Sequence, residues 1–405
     1  MYLIRSDVTI QPAAADSIGI YVHIPFCTAK CGYCDFNSYA GHEHLIPSYT
    51  TALTLEAGLW REALAGREVE SIFFGGGTPS LNPPDEMASV VDTLRANFGV
   101  SADAEISLES NPGSVTREYL RALRTAGFNR LSIGVQSFDD EELVTLDRIH
   151  TAEDARRAYA AAREAGFDNV NLDLIFGLPE QPLEAWQRSL EEAIALAPEH
   201  LSLYALTVED GTPLARDIAR GRTPAPDPDA QAEQYEWTQD RLARTGYEHY
   251  EISNWSRPGK RCRHNLIYWQ QREYLGLGAG AHSHLNGARF STVLLPDRYM
   301  ALVAESAEAA DGRMRHILEG ETITPAMAMV DALILGLRLV DGVDTGAFAR
   351  RFGRSVDDVY GDVLDEFATY GILERTPTHI CLTRRGRLLA NELFLRLLPE
   401  PAPAA

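Results

Sequence analysis

The sequence predicts an α/β fold: an open, partial barrel of six βα units followed by a helical C-terminal domain. From Ile18 to about Leu206, short β-rich runs alternate with longer helical patterns. This alternation is typical of right-handed βαβ units and a parallel sheet. Six units are fewer than the eight of a complete TIM barrel, so the predicted (β/α)6 barrel is partial and TIM-like. From about Thr324 the pattern becomes helical.

The six predicted strands and the helices between them follow one another in order. The strands are residues 18–24, 69–74, 105–109, 130–135, 170–175 and 201–206. The helices are residues 49–64, 85–98, 116–126, 152–165 and 183–196. In a parallel α/β barrel, ligands bind where strands end and loops begin, so we expect the functional site at the carboxyl ends of these strands.

The C-terminal pattern predicts helices at 326–340, 345–352 and 356–370, a β-hairpin around 372–382, and a last helix that ends at Leu398. Three helices followed by a hairpin resemble a winged helix. We therefore divide the chain into an N-terminal tail (1–17), the partial barrel (18–250), a linking segment (251–310), a winged-helix-like domain (311–398) and a loose tail (399–405). The Pro-rich segment 223–229 is predicted to be a loop.

Composition excludes several classes of protein. The 405 residues include 37 Lys and Arg against 58 Asp and Glu, a formal net charge of −21. This balance argues against nucleic-acid binding, because proteins that bind phosphate backbones carry a basic surface. No apolar run approaches the roughly 18 residues of a membrane helix, which predicts no stable membrane insertion. Residues 1–16 lack an apolar signal core, which predicts a cytoplasmic protein.

Three of the five cysteines lie within eight residues, as Cys27-x3-Cys31-x2-Cys34, directly after the first strand. A disulfide framework is not expected from an odd number of cysteines spaced in this way. Three thiolates can hold three corners of a [4Fe–4S] cluster and leave the fourth iron open to a small molecule. The alternative is a structural zinc site in which His23 or a distant cysteine is the fourth ligand.

Further polar and glycine residues stand at the ends of successive predicted strands. They are Gly76, Gly77 and Thr78 after the second strand, Glu109 at the end of the third, Gln136 at the end of the fourth, Arg148 on the segment that follows, and Asp173 on the fifth. Glycines allow a backbone to approach a ligand closely and to offer amide donors. The shared placement of these residues at one face of the barrel predicts a ligand site there.

These motifs resemble a known superfamily. The segments YVHIPFC-x3-C-x-YC, GGGTP, ESNP, GVQSF, NLDLIFGLP and HNLIYW look like those of the radical S-adenosylmethionine (SAM) superfamily. Within it the chain is similar to the oxygen-independent coproporphyrinogen III oxidase family. The resemblance implies that Cys27, Cys31 and Cys34 bind a [4Fe–4S] cluster and that SAM binds its open iron. It also implies the chemistry of the family, which is one-electron cleavage of SAM. The positions that this family uses around SAM are Tyr21, Tyr33, Gly76, Gly77, Thr78, Glu109, Gln136, Arg148 and Asp173.

Two departures from the oxidases cast doubt on coproporphyrinogen decarboxylation. The oxidases carry another cysteine two residues after the last cluster ligand, where this chain has Phe36. They also have a longer N-terminal extension, whereas 26 residues precede Cys27 here. The segment from His264 to Trp269 has the form H-N-x-x-Y-W, which resembles the heme-chaperone branch of the family.

The H-N-x-x-Y-W segment predicts a heme site. His264 is the first candidate for the iron ligand, and Tyr268 and Trp269 are suited to packing on the porphyrin. Rival ligands near it in the sequence are Cys262, His282 and His284. A local basic island of Arg257, Lys260, Arg261 and Arg263 is predicted to receive the heme propionates. The alternative is that the aromatic cluster is structural and the basic residues are solvated or paired with acids.

The sequence and its resemblance together predict a heme chaperone that binds a [4Fe–4S] cluster, SAM and heme. It would pass heme to acceptor proteins such as respiratory or storage hemoproteins. The first alternative is a radical SAM enzyme that acts on a porphyrinogen. The second is a non-catalytic zinc or DNA-binding protein, suggested by the zinc reading and by the winged-helix pattern. The charge weighs against DNA, so for the C-terminal domain we expect a role in heme delivery or as a lid.

Overall fold

The computed structural model describes residues 17–309 and 311–398, together with two short paired strands, Tyr2–Leu3 and Thr9–Ile10. The predicted tails at 1–17 and 399–405 lie almost entirely outside the described residues. No helix in the described part of the chain has both the length and the apolar character needed to cross a bilayer.

Twelve strands form the main sheet. In chain order they are β1 Ile18–Ile24, β2 Glu68–Gly76, β3 Gly99–Ser110, β4 Arg130–Gln136, β5 Val170–Phe176, β6 His200–Ala205, β7 Glu248–Glu251, β8 Asn254–Ser256, β9 Tyr274–Leu277, β10 His282–Leu285, β11 Ala288–Thr292 and β12 Ile317–Thr322. Their spatial order is β7-β8-β6-β5-β4-β3-β2-β1-β9-β10-β11-β12. The six predicted strands are therefore adjacent and parallel, which confirms the predicted class of fold.

The helices of the barrel and linking regions alternate with the strands. They are α1 Ile46–Leu59, α2 Pro84–Asn97, α3 Arg117–Ala126, α4 Asp140–Thr145, α5 Ala152–Glu164, α6 Leu183–Leu196, α7 Pro213–Ala219, α8 Pro228–Ala243, α9 Arg263–Trp269 and α10 Pro296–Ala309. Capping residues determine where several of these helices begin. Thr151 and Asp154 form a capping box at α5, and the Thr116 hydroxyl accepts from the Tyr119 amide at α3. Gly127 ends α3 with φ +105°, a left-handed conformation that favours glycine.

One feature of the sheet was not predicted. The short strand β9 pairs in parallel with β1, from Tyr274 beside Gly19 to Leu277 beside Val22, so seven strands are parallel. Strands β10, β11 and β12 then extend the sheet in antiparallel fashion. The predicted linking segment (251–310) therefore adds strands to the barrel sheet, and so does β12, which lies within the segment predicted as the winged-helix-like domain (311–398).

The core of the barrel is apolar on both faces of its central strands. In β1, six of seven residues are buried, and Ile18, Ile20, Val22 and Ile24 have no exposed surface. Buried side chains from the helices join those of the strands in one apolar core. Burial on both faces is expected for parallel strands covered by helices. Because these strands are parallel, their carboxyl ends lie at one edge of the sheet.

The C-terminal part has a second apolar core. Its helices are α11 Pro325–Gly336, α12 Thr345–Phe352, α13 Val356–Thr369, α14 Arg384–Leu388 and α15 Ala390–Leu397, and its three strands are β13 Val343–Asp344, β14 Leu373–Arg375 and β15 His379–Leu382. The predicted helices and hairpin are all present. Arg384 contacts Asp240 of the barrel, and Arg387 donates to Gln239 Oε1 at 2.9 Å. These basic side chains therefore face the barrel, which gives no support to a DNA-binding surface there.

Candidate functional site

The three cysteines of the loop after β1 lie in the wall of one cavity. The short strand Phe26–Cys27 pairs with Tyr39–Ala40, so the chain between them forms a closed loop at the carboxyl end of the barrel. The Cys27 side chain is buried, and those of Cys31 and Cys34 are half-buried. All three line a cavity of about 390 Å³, which we call the first cavity. The loop thus presents three thiols to one enclosed volume.

Neighbouring donors surround these thiols. The Thr78 hydroxyl donates to Cys27 Sγ at 3.6 Å, and Arg148 Nη1 donates to Cys31 Sγ at 3.2 Å. Burial raises the pKa of the Cys27 thiol, while the Thr78 hydrogen bond and the Lys30 charge oppose that rise. Metals bind the thiolate form of cysteine, so metal binding to this loop would release the thiol protons. The site already holds the positive charges of Lys30 and Arg148.

The arrangement does not suit a single metal ion. Among residues 17–309 and 311–398, no three His, Cys, Asp or Glu side chains surround a point that one ion could occupy. Thiolates that hold a cuboidal cluster bind different irons, so they need not converge on one point. His23, the predicted fourth zinc ligand, has both ring nitrogens engaged, with Tyr21 Oη at 3.0 Å and Asn37 O at 2.9 Å. The zinc alternative therefore lacks its nearby ligand.

The structure brings most of the predicted SAM residues together. The first cavity is lined by Tyr33, Gly76, Gly77, Thr78, Glu109, Gln136, Arg148 and Asp173 in addition to the three cysteines. They come from six successive segments of the chain and converge because parallel strands end at the same edge. Tyr21 lies instead in the wall of an adjacent cavity.

The glycine turn after β2 packs tightly against the cysteine loop. A Cβ on Gly77 would lie 2.6 Å from the carbonyl oxygen of Phe26 and 3.0 Å from Cys27 Sγ. Gly76 has φ +112°, and a Cβ there would meet the His23 ring at 2.5 Å. The amides of Gly76, Gly77 and Thr78 donate to Glu109 Oε2, Ile24 O and Phe26 O, respectively. The sequence predicted that amides of this turn would be free to bind a ligand. These three amides are instead bonded within the protein, and they hold the glycine turn to Glu109, to the end of β1 and to the cysteine loop.

Two carboxylates face the first cavity without a salt bridge to stabilise them. Burial raises the pKa of Glu109 to about 8, and the charge of Asp173 adds to the rise, while the Gly76 amide and Arg130 oppose it. Burial also raises the pKa of Asp173, although Ser132 Oγ donates to it at 2.9 Å and Asn171 Nδ2 at 2.8 Å. Burial and the Asp173 charge thus oppose ionisation of Glu109, and burial opposes ionisation of Asp173, so a cationic ligand in this cavity would favour the ionised form of both.

Gln136 occupies a strained position at the end of β4. Its φ is +66°, in the left-handed region, and the register of β4 against β5 shifts between Gly134 and Gln136. A non-glycine residue in this region costs free energy and persists where its surroundings hold it. Gln136 lines the first cavity beside this irregularity of the strand.

Arg148 connects the cysteine loop to the strand ends. Its Nη2 donates to Asn111 Oδ1 at 2.5 Å and to Gly134 O at 3.1 Å, while its buried Nε has no hydrogen-bond partner. Asn111 in turn donates from Nδ2 to Thr78 Oγ1 at 3.0 Å. The sequence reasoning did not single out Asn111. Its position two residues after Glu109, at the end of β3, was the available signal.

A second cavity, of about 690 Å³, adjoins the first. Phe36, Gly76 and Glu109 line both cavities. Of the residues predicted to bind heme, Tyr268 and Trp269 line the second cavity, and Trp269 Nε1 is buried without a hydrogen-bond partner. Its other lining residues are Tyr21, His23, Asn37, Gln271, Arg272, Tyr274, Gly280, His282, His284, Arg289, Leu294, Ile323, Asp331 and Leu335. It is therefore largely aromatic and aliphatic, with a few basic and imidazole groups.

His264 does not reach the second cavity. It is 1% exposed, and its ring stacks on Phe73 with centroids 5.3 Å apart. Its Nδ1 lies 2.9 Å from Ser71 Oγ, and its Nε2 lies 2.8 Å from Tyr268 Oη. An iron bond from His264 would require one of these hydrogen bonds to break. In this structure the imidazole holds Tyr268 in place.

The basic island does not line either cavity. Arg257 lies over the Tyr247 ring, with its Cζ 3.9 Å from the centroid, and Lys260 Nζ donates to Asp168 O at 2.9 Å. Arg261 and Arg263 pair with acidic residues elsewhere on the surface, Asp341 and Asp103. The expectation that these four residues receive propionates is therefore wrong in this structure. Arg272 and Arg289 are the basic groups that line the second cavity.

The raised pKa of Glu109 leads to a test. The unfolded chain ionises Glu109 near pH 4.5 and the folded chain near pH 8. Between these values the folded state binds more protons, so Glu109 lowers the free energy of unfolding of the cluster-free protein as pH rises, by at most about 1.4 kcal/mol per pH unit. We expect Glu109→Gln to remove this component. Urea unfolding at pH 6, 7 and 8 measures it.

The exposed Glu62 provides the control, and Glu62→Gln is expected to keep the pH dependence of the unmodified chain. Identical pH dependence in Glu109→Gln and the unmodified chain would show that the Glu109 carboxyl is not destabilised by its surroundings.

The chain is similar to known proteins along most of its length. Residues 21–193 match the family model described as the Radical SAM superfamily, and residues 323–389 match that of the HemN C-terminal domain. The heme chaperone HemW of Bacillus subtilis is 36% identical over 94% of this chain and 99% of its own length. HemW of Escherichia coli is 36% identical over 95% and 98%, respectively.

Among solved structures, coproporphyrinogen III oxidase (HemN) from Escherichia coli, a radical SAM enzyme, superposes with a TM-score of 0.81. It is 26% identical, and the match covers 94% of this chain and 89% of that one. Similarity over nearly the full length of two HemW proteins, together with both family models, places the whole described chain in one family. The chain belongs to the HemW family of the radical SAM superfamily.

Proposed function

We propose that this protein is a cytoplasmic heme chaperone that binds a [4Fe–4S] cluster, SAM and heme, and passes heme to acceptor proteins. The observation that carries the proposal is the pair of adjoining cavities. One holds three thiols and two buried carboxyl groups, and the other has aromatic side chains and imidazoles in its wall. The names of the HemW relatives support the same assignment.

The residues of the first cavity fit a cluster and SAM. Cys27, Cys31 and Cys34 would hold the cluster, which supplies one-electron chemistry to SAM when it is bound. Burial raises the pKa of both Glu109 and Asp173, so the cationic ammonium and sulfonium groups of SAM would favour their ionised forms. Tyr33, Gly76, Gly77, Thr78, Gln136 and Arg148 line the wall around these groups, and Tyr21 lies in the wall of the adjoining second cavity.

The second cavity fits a porphyrin. Its volume of about 690 Å³ lies within the usual range for small-molecule sites. Tyr268 and Trp269 line its wall. Arg272 and Arg289 also line it, but Arg272 pairs with Glu70 and Arg289 with Glu321 and Asp331, so a porphyrin carboxylate would compete with these acids for them. Burying the macrocycle against these walls is favourable even without an iron bond.

The C-terminal part completes the second cavity. Asp331 and Leu335 of α11 line it, together with Ile323, which follows β12. A movement of this part relative to the barrel would change access to the cavity. This supports the predicted role of the C-terminal domain in heme delivery or as a lid.

A second candidate function is that of a radical SAM enzyme resembling coproporphyrinogen III oxidase. The structural similarity to that enzyme and the adjoining position of the two cavities favour it. Phe36 argues against it, because an apolar side chain that is 62% exposed stands between the cavities where the oxidases carry a cysteine. We therefore prefer the chaperone.

The cluster assignment predicts that Cys27→Ala, Cys31→Ala and Cys34→Ala each abolish the cluster. The remaining cysteines supply the controls. Cys262 is buried beside Glu105, Cys381 donates to Asp341 O at 3.1 Å, and neither lines the first cavity. Cys262→Ala and Cys381→Ala are expected to keep full iron and sulfide content after anaerobic reconstitution. Loss of the cluster in either control would overturn the model of three thiolates and an open iron.

The proposed function is tested by loading the protein with heme and mixing it with an apo-form b-type hemoprotein. We expect the Soret spectrum of the acceptor to appear, and we expect reduced protein given SAM and coproporphyrinogen III to release no carbon dioxide. Trp269→Ala is expected to weaken heme retention. Leu395→Ala, at a position 67% exposed on α15, is the control. Carbon dioxide released with each turnover would favour the oxidase instead.

A further inference from the structure

Four histidines lie in or beside the second cavity, and their ring nitrogens differ in availability. His23 and His264 each have both ring nitrogens engaged in hydrogen bonds. His284 has one engaged, with Nδ1 3.1 Å from Arg272 O. In the described part of the chain no hydrogen bond involves the His282 ring, which is exposed in the cavity wall. Of the four, His282 is thus the imidazole with neither ring nitrogen engaged among the described residues, whereas His284 keeps only Nε2 available.

The local backbone explains this difference. His282 and His284 are alternate residues of β10, so both point to the same side of the sheet and into the cavity. His282 is at the start of the strand, where β10 meets the end of β9, and its charge when protonated contributes to lowering the pKa of His23. Its ring therefore lies near the wall that separates the two cavities. His284 lies deeper along the strand and is tied to the backbone of Arg272.

The surroundings of His282 suit a flat apolar ligand. Phe36 and Leu294 also line this cavity, and their side chains are 62% and 50% exposed. Asn37 Nδ2 donates to Leu294 O at 3.0 Å, which holds these two apolar residues on one rim. A macrocycle bound here would remove exposed apolar surface from water, which is favourable.

The other candidate for an iron ligand is less suitable. Cys262 is fully buried, burial raises its pKa to about 12, and its thiol donates to Glu105 Oε1 at 3.5 Å. To bind iron, the Cys262 thiol would have to lose its proton beside the Glu105 carboxylate, whose charge opposes that ionisation. Cys262 also lies outside the lining of the second cavity.

We propose that His282, rather than His264, provides the imidazole nitrogen that binds the heme iron in the second cavity. The inference rests on the proposed function, since it assigns the ligand of the heme that the chaperone carries. In this arrangement Tyr268 and Trp269 pack against the macrocycle and His264 positions Tyr268.

The test is titration of ferric heme into the full-length protein and into four variants. The Soret band and the electron paramagnetic resonance spectrum are recorded for each protein. The variants are His282→Ala, His284→Ala, His264→Ala and Cys262→Ala. We expect a shifted Soret band and loss of the imidazole-bound iron signal in His282→Ala. Binding through the apolar walls should remain. Free imidazole added to His282→Ala is expected to restore the spectrum, because it can occupy the space left by the side chain. His284→Ala and Cys262→Ala should keep the unmodified spectrum.

The outcomes separate the inference from the proposed function. An imidazole signal lost in His264→Ala, kept in His282→Ala, and restored to His264→Ala by free imidazole would overturn the inference and leave heme binding intact. A thiolate signature lost in Cys262→Ala would do the same. A broadened Soret band in His264→Ala that free imidazole does not sharpen fits the positioning role of His264. Absence of heme binding by the unmodified protein would overturn the proposed function itself.

Discussion

Parallel pairing of seven strands is the constraint on which both cavities depend. Because β1 to β5 run in the same direction, the cysteine loop, the glycine turn, Glu109, Gln136 and Asp173 all leave the sheet at one edge. Side chains of these strands belong to one apolar core, which fixes where the strand ends lie. Glu109 and Asp173 therefore line one cavity, where burial and the Asp173 charge raise the pKa of Glu109.

His23 shows how the two cavities are held next to each other. Its ring accepts from the Tyr21 hydroxyl and donates to Asn37 O, so it joins β1 to the cysteine loop. Asn37 continues the connection to Ala279 O and Leu294 O, each at 3.0 Å, in the segments that follow β9 and β11. A change in the cysteine loop would therefore reach the rim of the second cavity through a short series of hydrogen bonds.

The sequence was most informative where structure is local or set by strand ends. The six strands were predicted because their apolar runs are continuous, and the predicted residues at their ends do line the first cavity, with Tyr21 in the next. Their contacts with SAM stay a prediction. Strand β9 was missed because Tyr274–Leu277 contains four residues and a glycine, a weak signal for a strand.

Sequence patterns do not identify the contact partners of a side chain when those partners are far away in the chain. Ser71 and Asp103, which engage His264 and Arg263, precede them by 193 and 160 residues, respectively. Motif spacing therefore could not show that His264 is engaged or that the basic island faces away from the cavity. The exposure of His282 depends in the same way on how β10 packs beside β9.

The central claim is that paired buried carboxylates make the first cavity a site for SAM. It is tested most directly by the affinity of the cluster-loaded protein for SAM after Asp173→Asn, measured by calorimetry beside Asp168→Asn, an exposed position before β5. Loss of a hydrogen bond to a charged partner costs about 1.5–3 kcal/mol, so we expect affinity to fall roughly 10- to 150-fold in Asp173→Asn and to stay unchanged in Asp168→Asn. Unchanged SAM affinity in Asp173→Asn with full cluster content would contradict the account.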